Sequence, residues 1–552
     1  MATLFHSEAS FQFSTNKKKW LIVLLFIGGI FVRLFLLGVI PPGLNQDEAS
    51  IGYDAWALLH YGIDRNACHN PVHLISWGSG QNALYAYLSM PFILLFDLNP
   101  FSVRILNALL GCLSSVIFYL LVKKIWDEDT GIIALFLLVI SPWHIMMSRW
   151  GLESNIFPFF ILMGSYLLLL SLEKAYFLPL SFMVFAISLY SYGTAYFFVP
   201  VFLLVVSLYL LFHKKIKITT FLLSGGVFLI VALPILLFLM INIFKLNSIQ
   251  TSWFSIPRLP ATPRFFAISS IFSSQFIKNS IYNLGNFLWL LFVTQNDGLI
   301  WNCIPEYGYM FLFSTPFLFF GIFNLIRESR GKKKFNSQII ILTWFFVALI
   351  MAFVTSININ RVNVVFLPVI CLIATGISYI KRNAKIFFQY LMILYILFFG
   401  LFAYTYFFVY PEIVGPAFFE SLDEAIQYAT ETVAPDEPIY VTDKVNMSYI
   451  FILFYQKIDP NVFCKSVVYS DPEAPFRWVE SFDRYIFGVQ NNRFPGRIYI
   501  LHNSERGFFN NPDLPLRSLK ITLWRSGKNK IKQSLLAISI NYYSIPQNLL
   551  NC

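Results

Sequence analysis

Eleven apolar stretches, each long enough or nearly long enough to cross a bilayer, constrain this chain more than any other feature. They run over residues 20–40, 101–122, 131–147, 156–172, 177–192, 195–212, 219–241, 307–326, 338–355, 364–380 and 386–410. About 30 Å of hydrocarbon requires about 20 apolar residues in helical form. Only 12% of the 552 residues are charged and 57% are hydrophobic, against about 25% charged in a soluble domain. One or two aqueous cores could not bury 61 Phe and 29 Tyr, so lipid is the expected solvent. The reading is a polytopic α-helical membrane protein of about eleven spans.

The formal charge of +11 does not point to nucleic acid, because the basic residues cluster at the ends of apolar runs, as the positive-inside rule expects. With the amino terminus inside, the inside segments hold Lys17–Lys19, Lys123 and Lys124, Lys174, Lys214, Lys215 and Lys217, Arg327, Arg330, Lys332–Lys334, and Lys381, Arg382 and Lys385. The short outside connections carry only Arg149 and Arg361. The run 20–40 has no small-residue cleavage site after it and reads as an uncleaved first span. Six cysteines without CxxC spacing give no expectation of a disulfide framework or a metal.

The domain plan that follows is a cytoplasmic tail (1–19), a membrane domain (20–410) with long outside loops at 41–100 and 242–306, and an extracytoplasmic domain (411–552). The stretch 83–96, interrupted by Pro91, is expected as a surface or re-entrant helix. The loop containing Pro257, Pro260, Pro263, Arg258 and Arg264 is expected to be mobile and to lead into an interfacial helix. Beyond residue 410 charged and apolar residues interleave. Helices are predicted at 421–432 and 446–456 and strands at 438–442, 497–501, 519–524 and 535–543, a small α/β domain.

Polar chemistry gathers at three places on the outer side. After the first span comes Pro41-Pro42-Gly43-Leu44-Asn45-Gln46-Asp47-Glu48, followed by Tyr53. A carboxylate here can serve as a general base at the membrane surface; the competing role is a helix cap or a solvated pair. The segment Ser141-Pro142-Trp143-His144, with Ser148-Arg149 and Glu153, and the run Asn360-Arg361-Val362-Asn363 lie at the same level. Arg149 and Arg361 suit a phosphate in charge and fork geometry, with headgroup snorkelling as the alternative. Arg33, inside the first apolar run, is expected to bind a ligand or to pair with a neighbouring helix.

These residues resemble the family 39 glycosyltransferases of superfamily C, the group of protein O-mannosyltransferases and the lipid A aminoarabinose transferase. The resemblance covers roughly residues 21–410 and is specific for the superfamily, not for the substrate. It implies transfer of a sugar, with inversion, from a polyprenyl-phosphate carrier to an acceptor hydroxyl of a protein, lipid or polysaccharide on the extracytoplasmic face of the cell membrane. It implies Asp47 as base with Glu48 and Glu153 as supporting acids. The expected donor phosphate contacts are Arg361, Arg149 and Arg33, and the expected substrate contacts Tyr53, His144 and Asn363. Neither a cofactor nor a metal is expected, because a monophosphate rather than a pyrophosphate leaves. The rival readings are a transporter or flippase of a lipid-linked sugar and a non-catalytic scaffold with an external sensor domain. Cys68, His69 and His73 are not expected to bind metal, since Pro71 breaks their alignment, and Trp77-Gly78-Ser79-Gly80 reads as a turn.

Overall fold

The computed structural model describes residues 15–329, 335–489, 498–505 and 538–540. The predicted strand 519–524 and the basic residues Arg330 and Lys332–Lys334 lie outside these, as does most of the predicted strand 535–543. Seven helices open the chain: α1 (Thr15–Leu34), α2 (Gln46–Tyr61), α3 (Leu84–Phe96), α4 (Pro100–Ile125), α5 (Glu128–Ile140), α6 (Pro142–Ser148) and α7 (Glu153–Ser171).

Among the described residues, six helices are long and apolar enough to cross a membrane, or seven if α5 and α6, bent by 59°, count as one span. The six are α4, α7, Ala195–Phe212, Ile218–Phe244, Ile359–Asn383 and Lys385–Phe418. The expected runs 177–192, 307–326 and 338–355 are present as shorter apolar helices. The run 20–40 is displaced: α1 begins at Thr15, before the lysines, and ends at Leu34. Arg33 therefore lies in the last turn of α1 rather than in mid-span. Apolar faces remain uncovered, with Ile230 74% and Ile386 70% exposed, as lipid-facing helices require.

The basic clusters converge. Lys18 and Lys381 both pair with Asp129, at 2.6 and 3.1 Å, Lys123 pairs with Glu128, Lys124 with Glu173, and Arg382 with Asp127. At the other end of α4, Arg104 holds Glu48 of α2. Nineteen helical steps from Arg104 to Lys123 separate the two ends by about 30 Å.

After residue 410 a helix Leu422–Thr432 precedes a strand Ile439–Val441, with a second helix at Ser448–Gln456. Strands Ile538–Ile540, Ile498–His502, Ile439–Val441 and Tyr485–Phe487 lie side by side in parallel, and Val479–Phe482 and Val468–Tyr469 extend the sheet antiparallel. This region does not bury its apolar side chains alone. Phe451, Phe454, Ile426 and Leu422 pack in one cluster with Ile51, Tyr53 and Trp56 of α2 and Tyr85 of α3. Gly52 permits the approach, since a Cβ there would lie 2.7 Å from both Phe454 and Val103.

Candidate active site

Asp47 and Glu48 open α2, whose amino terminus is formed by a capping box. The Asn45 side chain accepts from the chain at the start of the helix, and Glu48 reaches back to the Asn45 N–H. This arrangement satisfies two otherwise unpaired backbone donors. Glu48 is fully buried and accepts from Arg104 Nε and Nη2, each at 2.8 Å, and from the Gly151 N–H at 2.8 Å. With both oxygens occupied, it is a strut joining α2, α4 and the α6–α7 loop. A carboxylate so bound has no free lone pair to aim at a substrate proton.

Asp47 differs from its neighbour. It is half-buried, and Oδ1 accepts from the Trp77 indole N–H at 3.2 Å. Burial pushes its carboxyl above the ordinary value, against Arg264, the Trp77 hydrogen bond and Arg65, which each pull it down. Trp77 is itself held, because Arg65 Cζ lies 4.7 Å over its ring and Arg65 pairs with Asp54 at 3.4 Å. The turn after it needs glycine, with φ of 119° at Gly78 and 93° at Gly80.

Arg264 comes from the proline-rich loop, which is docked rather than loose. The Ala261 N–H donates to Gly78 O and the Arg264 N–H to Ser79 O at 2.9 Å, while Asn242 holds Pro257 and Leu259 from below. The guanidinium of Arg264 lies over the ring of Phe476, 5.4 Å from Cζ. With Glu153, Tyr192, Ser79 and Asn82 it lines one cavity. Tyr192 senses Arg361, Arg264, Glu153 and Asp47 electrostatically, so two acids and two cations share one locality. Glu153 leaves Oε2 buried without a hydrogen-bond partner among the described residues.

Arg361 is held by its own surroundings, with Asn358 capping its short helix and Nη1 donating to Ser356 Oγ at 2.6 Å. Asp297 ties the loop before it by accepting from the Ile359 N–H at 2.8 Å. Asn363 is buried and donates to Ser154 O at 2.7 Å, which fixes the residue beside Glu153.

Four predicted residues stand apart. Arg149 is fully buried, donates to the carbonyls of Val32, Arg33 and Ile40 and to Tyr406 Oη, and lies over the rings of Tyr406 and Phe407. It caps the end of α1 and leaves little of its fork for a phosphate. Arg33 donates to Gly29 O, Leu138 O and His144 Nδ1, the last at 2.6 Å. Because an arginine cannot accept, the His144 proton sits on Nε2. His144 lines a second cavity, with Asn107, Ser114 and Ser148, that shares no residue with the Glu153 cavity. Tyr53 is wholly buried and donates to Ile458 O at 2.7 Å, away from the acids. Arg264, Trp77, Tyr192 and Arg104 are the residues the motifs did not reveal as site members. Position on the outer side was the only available signal for Arg264.

The family described as dolichyl-phosphate-mannose-protein mannosyltransferase matches residues 82–238. Among solved structures, ArnT from Cupriavidus metallidurans bound to undecaprenyl phosphate aligns with 80% of this chain and 85% of its own, at 11% identity and a TM-score of 0.52. The apo state of the same protein aligns at 12% identity over the same shares, with a TM-score of 0.51. The Archaeoglobus fulgidus oligosaccharyltransferase in the apo form aligns at 13% identity over 80% of this chain and 64% of its own, with a TM-score of 0.48. No curated protein sequence matches the chain. The family match is confined to residues 82–238, and the chain shares the fold of the solved Cupriavidus structure.

Proposed function

We propose that this protein moves a sugar, with inversion, from a polyprenyl-phosphate carrier to an acceptor hydroxyl at the extracytoplasmic face of the membrane. The observation that carries this reading is Asp47, a half-buried carboxylate with one oxygen steadied by Trp77 and with Arg264 in electrostatic reach. An inverting transfer is a single displacement, so it needs a base for the acceptor hydroxyl and no covalent nucleophile. Asp47 takes that proton as the acceptor oxygen attacks the anomeric carbon. Arg264 and Arg361 hold the phosphate, whose charge grows as the sugar–oxygen bond breaks. Glu153 lines the cavity as the second acid. Glu48, Arg104, Asn363 and Arg149 are positioning residues, and Tyr53, Arg33 and His144 belong to the packing around the site.

The undecaprenyl phosphate bound to the Cupriavidus protein supports a carrier of this class. The clustered lysines at one end and the acids at the other support an amino terminus in the cytoplasm and residues 411–552 outside. The test is Asp47→Asn in purified protein, read as release of polyprenyl phosphate from a panel of synthetic polyprenyl-phosphate sugars. Loss of a general base costs about 100- to 10,000-fold in rate, with carrier binding unchanged. Parental turnover in this variant would remove Asp47 from the mechanism.

A further inference from the structure

Two cysteines far apart in sequence meet at one turn of the outer loop. Residues 64–68 close on themselves: the Asp64 N–H donates to Cys68 O, the Ala67 N–H donates to Asp64 O, and Asp64 Oδ1 accepts from the Asn66 and Cys68 N–H groups at 2.8 and 2.9 Å. Ala67 takes φ of 59° to complete the turn. Cys464, on the helix Pro460–Ser466, sends Sγ onto this same turn, 3.2 Å from Arg65 O and facing the Ala67 N–H. Cys68 Sγ lies 3.7 Å from Asn66 O, within electrostatic reach of the Cys464 thiol. Both are partly exposed, whereas Cys303 and Cys371 are buried.

We propose that Cys68 and Cys464 are joined by a disulfide that pins the outer loop to the region after residue 410. The proposal rests on the orientation argued above, which puts both thiols in an oxidising compartment. A disulfide-bearing thiol oxidase of that compartment is the oxidant. One cysteine thiolate attacks its disulfide, releasing one oxidant thiol, and the second thiolate displaces the other, so two protons and two electrons leave and the oxidant becomes a dithiol. In the folded turn burial pushes both thiols up, that of Cys464 to about 11, so the exchange belongs to folding, before the turn is packed. The bond lies in the same segment as Arg65, which positions Trp77 and through it Asp47. It fixes the platform of the site rather than touching substrate.

The experiment uses the full chain in intact cells, quenched in acid and alkylated without reductant, then digested for mass spectrometry. The expected result is a peptide pair joining Cys68 to Cys464 that vanishes on reduction. Recovery of both residues singly alkylated would overturn the bond. A compartment reporter fused after Cys552 separates this failure from failure of the orientation: external reporter activity with free thiols sinks the disulfide alone, and a cytoplasmic reporter sinks both. As a second measurement, Cys68→Ser, Cys464→Ser and the double variant should show the same lowered unfolding midpoint, because each loses one shared bond. Additive losses would indicate two separate packing roles and count against the proposal.

Discussion

Asp47 and Glu48 are adjacent carboxylates with opposite surroundings, and the difference decides which can move a proton. Glu48 is locked by Arg104 and the Gly151 N–H, whereas Asp47 retains partial exposure and one lightly held oxygen. Its raised carboxyl has a kinetic consequence. A base works only when deprotonated, so kcat/KM should climb with pH along an acid limb whose midpoint lies above the ordinary aspartate value of about 3.9. Arg264 opposes that rise, so Arg264→Ala should move the limb to higher pH as well as lower the rate. A pH profile identical to that of the parent would separate Arg264 from Asp47. At Arg361, loss of a phosphate contact made in the transition state is worth about 3 to 4 kcal/mol. Arg361→Ala should therefore lose nearly all transfer, and Arg361→Lys should keep part of it, since the charge survives and the planar fork does not. Headgroup anchoring instead predicts little change in turnover from either substitution.

At the scale of elements, the site depends on how α2 is gripped. The Glu48–Arg104 pair is buried at both ends, and removing one partner of such a pair costs about 3–5 kcal/mol because the other charge is stranded. Arg104→Ala should thus lower the unfolding midpoint and the yield of monodisperse protein, whereas Asp47→Asn should leave both unchanged. One turn further along the same face of α2, Gly52→Ala would force a methyl group against Phe454 and Val103. Overpacking of this kind costs about 1–3 kcal/mol, so the variant should unfold earlier and lose activity in proportion. Thermal melts in detergent followed by transfer assays distinguish these stability losses from the purely catalytic loss at Asp47.

Across the whole molecule, the chain after residue 410 is part of the architecture around the site. Its helices share a core with α2 and α3, Phe476 sits under Arg264, and the Arg477 N–H donates to Trp77 O at 2.8 Å. A chain ending at Tyr410 should still insert in the membrane but should release no polyprenyl phosphate, because α2 loses the cover that fixes Asp47. Retained transfer in that truncation would show the region to be an accessory. Orientation is tested at the same scale. A fluorescent fusion that matures only in the cytoplasm should stay dark after Cys552, and fluorescence would reverse the face on which the acids lie.

Apolar run length, the low charge content and the positions of Lys and Arg determined the helical membrane class and drew attention to Asp47, Glu153 and Arg361 before any coordinates. Those properties are local, being fixed by the cost of leaving apolar surface in water and charge in lipid. Pairing across the chain was not legible. The family resemblance made Asp47 the base and Glu48 a supporting acid, but the residues themselves gave no physical reason for that division, because it comes from Arg104, 56 residues away, and they could not show that Arg149 caps α1. The sequence also placed the first helix five residues late, since lysines that read as flanking residues are instead the first turns of the helix, with Lys18 paired to Asp129. Arg264 became part of the site only through the docking of a proline-rich loop onto the Trp77–Gly80 turn. A charge's function depends on which partners reach it and how much water it keeps, and only the tertiary structure decides those two quantities.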